Sequence, residues 1–260
     1  MNITNNHKNK DHQKNKDTAI KIYNRPYPLK YNYNPIIPLK IFQTWYTKDL
    51  PQAMKKRVEY LKETHPRFEH FLFDDNDCRK FIQDNFDSDV LNAYDRLIPG
   101  AYKADLWRYC VLYIHGGIYM DIKLKCINGF RLIELTENNH YVNDRLPPLS
   151  IYNALIACQP LSPLLWKAIY RIVINVNKKF YGRNPLEPTG PIMLGRIILK
   201  NKLKPNIDLI HHQDGGYIIY KNRFIMSTEY PEYNTERSNL YNSINTKRYD
   251  VLWNERTIYK

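Results

Sequence analysis

The chain has 260 residues, 43% of them hydrophobic, enough for one sizeable α/β domain and short for two. Its 39 Lys and Arg outweigh 26 Asp and Glu, a net charge of +13 that favours anionic partners: nucleotide diphosphates, acidic glycans, nucleic acid or an anionic membrane. A merely solubilising surface would show the same excess.

No stretch reaches the ~18–20 apolar residues of a membrane span, and the N-terminal MNITNNHKNKDHQKNKD lacks the apolar centre of a secretory signal. The cysteines, Cys78, Cys110, Cys126 and Cys158, form no CxxC pair, which argues against a zinc ribbon. Cys110 and Cys126 lie in apolar runs as small core residues, in keeping with a reducing compartment. The expected location is cytoplasmic.

Residues 1–34 carry seven basic and two acidic side chains among many Asn and are expected to be a disordered tail with a capacity for anionic surfaces. The rest of the positive excess reads as spread over a folded domain from 35 to 260. Leu39 to Thr44 predicts a buried strand, and Pro51 opens a helix with apolar residues at Met54, Val58 and Leu61. Phe68 to Phe73 predicts a second strand. The acids Asp74, Asp75, Asp77 and Asp84 lack the spacing, Gly and terminal Glu of a calcium loop and read as helix caps for CRKFIQDNF. This order predicts an α/β fold with a mixed, mostly parallel central sheet flanked by helices.

The helix expected over 102–115 carries a core stripe of Leu106, Cys110 and Tyr113. Asp105 and Arg108, at i and i+3, can meet on an adjoining face. Gly116-Gly117 stops the helix. IYMDIKLKCI then reads as a strand with Asp121 and Lys123 on one side of the pleat, where open α/β sheets bind ligands beyond their strand ends. SIYNALIAC predicts a strand carrying Asn153, and Ser162-Pro163 opens a helix running to about Gly182. Pro188-Thr189-Gly190-Pro191 is a turn ahead of the helix IMLGRIILK. IDLIHH, GYIIY and RFIMS predict short strands before a polar, Tyr-rich C-terminal segment.

KADLWRYCVLYIHGGIYMDIK resembles the signature of glycosyltransferases with the sugar-binding DXD region, a group that includes yeast-type initiating mannosyltransferases, capsular polysaccharide enzymes and, more distantly, glucosylating clostridial toxins. The matching positions run from Ala101, Lys103, Asp105, Arg108 and Tyr109 through Gly116 and Gly117 to Tyr119 and Asp121. IPLKIFQTW, YNALIACQPLSPLL and PTGP resemble flanking segments of the same family. The resemblance implies a GT-A fold, a UDP- or GDP-sugar donor, a glycan or glycoprotein acceptor and a retaining transfer.

By match to the motifs, Trp45 would border the donor base, Asp105 and Arg108 would hold the sugar and the diphosphate side, and Asp121 would contact ribose, sugar or metal. Tyr109, Gly117 and Asn153 complete the implied donor site. Asp105, Arg108, Asp121 and Lys123 form the implied catalytic set. Arg108→Ala or Asp121→Asn is expected to abolish transfer and leave folding intact.

The family's second DXD aspartate is Lys123 here. Three outcomes stay open. The ammonium could neutralise the leaving diphosphate in place of a metal. Mn²⁺ or Mg²⁺ could still bind through Asp121, donor phosphates and a further group among His211, His212, Asp214 and Asp250, each of which also reads as a surface or capping residue. Or catalysis could be lost, leaving a nucleotide-sugar-binding protein. Asp144 is a candidate acceptor base. A nucleic-acid-binding module, the rival from another class, is supported by charge and tyrosine content, but no helix-turn-helix, zinc-finger or RNP signature appears and no specific nucleic acid is expected.

Overall fold

Apolar runs build the strands, and proline or aspartate marks the start of most helices. The computed structural model describes residues 23–212 and 216–260. In chain order the elements are β1 (Lys40–Thr44), α1 (Gln52–Thr64), β2 (Glu69–Phe73), α2 (Asp75–Asn85), α3 (Ser88–Arg96), α4 (Gly100–His115), β3 (Gly117–Met120), β4 (Lys125–Cys126), a 3-10 turn (Leu132–Leu135), β5 (His140–Asn143), β6 (Ile151–Cys158), α5 (Pro163–Asn177), α6 (Pro191–Lys200), β7 (Leu209–His212), β8 (Tyr217–Tyr220), β9 (Arg223–Ser227), α7 (Tyr233–Ser243) and α8 (Tyr249–Asn254). Among the described residues no helix is long and apolar enough to cross a membrane.

The acidic cluster caps α2. Asp74 accepts from the Asp77 amide at 2.9 Å, and Asp77 accepts from the Asp74 amide at 3.2 Å. All four cysteines are free and buried. Of the expected tail, residues 1–22 lie outside the described residues. Residues 23–34 run back over the fold: Tyr27 is buried, its hydroxyl 3.2 Å from Glu134, and Tyr33 and Lys30 bond Glu134 and Glu137.

Nine strands form one mixed sheet in the order β2-β1-β3-β6-β5-β7-β8-β9-β4. β2, β1 and β3 run parallel, as do β5 and β7, and the other pairings are antiparallel. This order forces curvature. Six inter-strand steps of a flat sheet would separate β3 from β4 by ~29 Å. The five-residue advance from Met120 to Lys125 spans at most about 18 Å. The sheet therefore curls until its far edge returns beside α1, where Lys125 lies over the Tyr60 ring at 4.3 Å.

Helix α4 is the centre of the structure. It packs on β1 and β3, and against α2, α5 and α8. Leu106, Trp107, Tyr109, Cys110, Val111 and Leu112 are all buried, so burial covers far more than the one stripe the periodicity predicts. Gly116 ends the helix at φ 61°, and Gly117 follows at φ 105°. A Cβ on Gly117 would stand 2.8 Å from the Lys40 carbonyl, so β3 can approach β1 this closely only with glycine there.

The strand expected through 118–127 is not continuous. β3 stops at Met120, and residues 121–124 form a turn closed by the Leu124 amide on the Asp121 carbonyl at 2.9 Å. Asp121 and Lys123 therefore share a turn and not a pleat face. An edge strand at β4 and a central one at β3 cannot be one straight segment.

Candidate functional site

The site begins with a polar network sunk into α4. Arg108 donates from Nε to its own helix at the Ala104 carbonyl, 3.1 Å, and from Nη1 to the Asn153 carbonyl on β6, 2.7 Å. Its guanidinium lies 3.4 Å from Asp105 Oδ1 and 3.4 Å from Asp121 Oδ1, and 4.3 Å over the Tyr119 ring. Asp105 also accepts from Asn153 Nδ2 at 2.9 Å and from the Thr189 hydroxyl at 2.7 Å. Asn153 donates to the Tyr109 hydroxyl at 2.7 Å, which donates to the Thr189 carbonyl at 3.1 Å. Asp121 accepts from the Tyr119 hydroxyl at 2.8 Å. A buried charge needs this degree of pairing.

The electrostatics follow from burial. Burial pushes the Asp105 carboxyl up, while Arg108, Thr189 and Asn153 pull it down. Burial also works against the Arg108 charge, but Tyr119, Asp105 and Asp121 hold its pKa above the ordinary value. Arg108 is thus a fixed cation.

Two clefts meet at this network. The first, about 830 Å³, is walled by Thr44, Trp45 and Tyr46 after β1, by the start of α4, and by Tyr233, Arg237 and Tyr241 of α7. The buried Trp45 Nε1 on this wall has no hydrogen-bond partner among the described residues, an available donor for a ligand. Burial pushes Asp75, also on this wall, up to about 6, with Lys103 opposing. The second cleft, about 850 Å³, is walled by Tyr152 and Asn153 of β6, Pro185 and Gly190 before α6, and Asp144 and His211. Arg108, Asp121 and Lys123 border both.

Lys123 makes no ion pair among the described residues; its ammonium lies 5.9 Å from the Tyr152 ring and 5.7 Å from the Tyr233 ring.

The structure thus brings together Asp105, Arg108, Asp121, Lys123, Asn153 and, across the first cleft, Trp45. It does not bring Tyr109 or Gly117 to either cleft wall. Tyr109 is buried as a support for Asn153, and Gly117 serves the packing of β3 on β1. Sequence reasoning gave no site role to Thr189, Tyr233, Arg237 or Tyr152, named Tyr119 only as a matching motif position, and named His211 only as a possible metal ligand. The PTGP turn was visible, but nothing in its spacing says that Thr189 reaches a helix 84 residues earlier.

The donor set suits a protein-held divalent metal poorly. Among the described residues no group of three or more His, Cys, Asp or Glu side chains comes together to hold one. Asp121, the one acid bordering both clefts, already faces Arg108 and Tyr119. Of the suggested extra ligands, His211 Nδ1 is 2.9 Å from Asp144, and Asp250 is paired with Arg248 at 3.2 Å. The His212 ring packs on Phe224 at 5.5 Å. Asp214 lies outside the described residues.

Residues 51–141 match the profile of the glycosyltransferase sugar-binding region containing the DXD motif. The chain is 28% identical over 192 residues to inositol phosphoceramide mannosyltransferase 3 of Schizosaccharomyces pombe, covering 74% of this chain and 52% of that protein. It is 30% identical over 195 residues to the initiation-specific alpha-1,6-mannosyltransferase of the same organism, covering 64% and 48%. The chain thus spans about half the length of these two relatives. A solved structure, PaToxG glycosyltransferase, superposes with a TM-score of 0.50 at 19% identity, over 73% of this chain and 75% of that one, a likeness of fold that is GT-A-like. Residues 51–141 of this chain are thus similar to the glycosyltransferase sugar-binding region that contains the DXD motif.

Proposed function

We propose that the protein transfers a hexose from a nucleoside-diphosphate sugar to a hydroxyl acceptor. The observation that carries this reading is the Asp105–Arg108–Asp121 network at the junction of two clefts, with an unpaired ammonium, Lys123, bordering both. The nucleotide would lie in the first cleft, its base beside Trp45 and its diphosphate toward Lys123 and Arg237. The hexose would enter the second cleft against Asp105, Asn153 and Asp121. The mannosyltransferase names of the relatives favour a hexose over an N-acetylhexosamine.

In the transfer the bond from the anomeric carbon to the diphosphate oxygen breaks, and one to the acceptor oxygen forms. Charge grows on the departing diphosphate, and fixed cations offset it best when they need no reorganisation. Lys123 and Arg108 supply that charge from the protein. Metal-independent turnover is the expected result: hydrolysis of UDP- and GDP-hexoses should persist in EDTA and fall at least about 10²-fold in Lys123→Ala. Complete loss in EDTA with restoration by Mn²⁺ would reject this role for Lys123. Binding of every donor without turnover would leave a sugar-nucleotide-binding protein.

The acceptor side has a residue pair suited to holding a hydroxyl. Asp144 fixes His211 Nδ1, and the His211 ring stacks on Tyr152 at 4.0 Å. In a retaining, same-face transfer the acceptor proton passes to the departing diphosphate, and His211 only orients the hydroxyl. His211→Ala should then raise the acceptor KM with little change in donor hydrolysis, and NMR of the product should show the donor's anomeric configuration. An inverted product would instead make His211 the base that takes the proton.

A further inference from the structure

The charge of the folded part is not spread. Residues 35–145 hold equal numbers of basic and acidic side chains, and so do residues 208–260. The whole surplus lies in residues 146–207, with nine Lys and Arg and a single acid, Glu187. That acid is buried and taken by Arg196 in a two-point ion pair, 2.6 and 2.7 Å. The surplus therefore meets solvent unopposed from α5, α6 and the segments flanking α6.

The outward face of α5 is divided lengthwise. Trp166, Tyr170 and Ile174 recur every four residues as an apolar stripe on the solvent side, with Trp166 42% exposed. The Trp166 ring lies between those of Tyr113 at 5.0 Å and Tyr170 at 4.5 Å, tilted against both. Lys167, Arg171 and Lys178 form a basic stripe beside it at helical spacing. Arg171, Ile174 and Lys178 share a groove with Arg196 and Lys200 of α6, and Leu199 is exposed nearby on α6. A merely solubilising helix face mixes charges of both signs and exposes few large apolar side chains. Basic side chains beside Trp and aliphatic groups match an interface between lipid headgroups and acyl chains, the neighbouring acids being already taken: Asp87 accepts from the Tyr170 hydroxyl at 2.5 Å, and Glu187 on the groove wall pairs with Arg196.

We propose that the outer face of α5 and α6 docks the protein on an anionic lipid bilayer, with Trp166 and Ile174 at the headgroup–acyl boundary and Lys167, Arg171, Lys178 and Lys200 on lipid phosphates. Between the two helices the chain passes Pro185, Leu186 and Gly190, which line the second cleft, so the bilayer would lie beside its mouth. The proposal does not depend on the identity of the donor.

Full-length protein should sediment with vesicles of phosphatidylcholine plus phosphatidylserine and stay in solution with phosphatidylcholine alone. The combined Lys167→Glu, Arg171→Glu and Lys178→Glu variant should bind on the order of a hundredfold more weakly. Trp166→Ala, which keeps every charge, should lose roughly tenfold. In the unaltered protein, brominated lipid should quench tryptophan emission, and Trp166→Phe should remove that quenching. Unchanged vesicle binding in both variants would assign the affinity to the N-terminal basic segment and overturn the proposal. Quenching that survives Trp166→Phe would overturn it too, as would charge-dependent binding to single-stranded DNA and vesicles alike that ignores Trp166.

Discussion

Asp121→Asn is expected to lower transfer by at least about 10²-fold while the protein stays folded. The side chain is 26% exposed at the junction of the clefts, so its replacement leaves no sealed cavity. The amide keeps the size of the carboxylate but removes its charge and turns one of its two acceptor oxygens into a donor, so it no longer meets the Arg108 guanidinium at 3.4 Å as an anion. The Tyr119 hydroxyl keeps an oxygen to bond. Steady-state transfer with a responsive donor, alongside thermal unfolding, measures both halves. Wild-type turnover in the variant would remove Asp121 from the site.

Arg108→Ala is expected to cost about 3–5 kcal/mol of stability, and activity with it. This corrects the expectation of an intact fold. The side chain is 7% exposed and joins α4 to β6 and to the 121–124 turn. Its removal strands Asp105 inside the protein next to Asn153 and Thr189, with no cation. Urea unfolding of the single variants and of Asp105→Ala/Arg108→Ala gives the check. The double variant should lose less than the sum of the singles, because each single leaves an unmatched polar group. Additive losses would mean that the pair does not act as one unit.

Much of the frame was legible in residue order. β1, α1, β2, α4, β6 and α6 fall where apolar spacing, Pro51 and Gly116-Gly117 place them, and α5 starts at Ser162-Pro163 as expected but ends at Asn177, short of Gly182. Asp105 and Arg108 meet as their i, i+3 spacing predicts. What was not legible depends on distance in space. Helix α3 and strand β5 are short, and the cap of α3, Asp87 accepting from the Asp89 and Val90 amides, is one acid among several in its stretch. The polar Tyr-rich C-terminus gave no clear periodicity, yet Tyr233 and Arg237 complete the first cleft from it. The Asp121–Lys123 stretch misled for a definite reason: alternation of apolar and charged residues fits a strand and a tight turn equally, and only the return of β4 to the far edge of the sheet decides between them.

That return has a consequence for how such a protein can change. The motif turn is clamped from two sides, by β3 in the middle of the sheet and by β4 on β9, where Lys125 pairs with Ser227 and Cys126 with Met226. The matched region ends at residue 141, while one wall of the first cleft and the partner strand of β4 come from beyond residue 217. The recognisable segment is therefore not a portable cassette. Grafted alone into another chain it would arrive with its key turn untethered, whereas exchanging residues 217–249 would re-furnish the cleft opposite an unchanged Asp105, Arg108 and Asp121. Diversification of donor choice would then run through the least recognisable quarter of the chain.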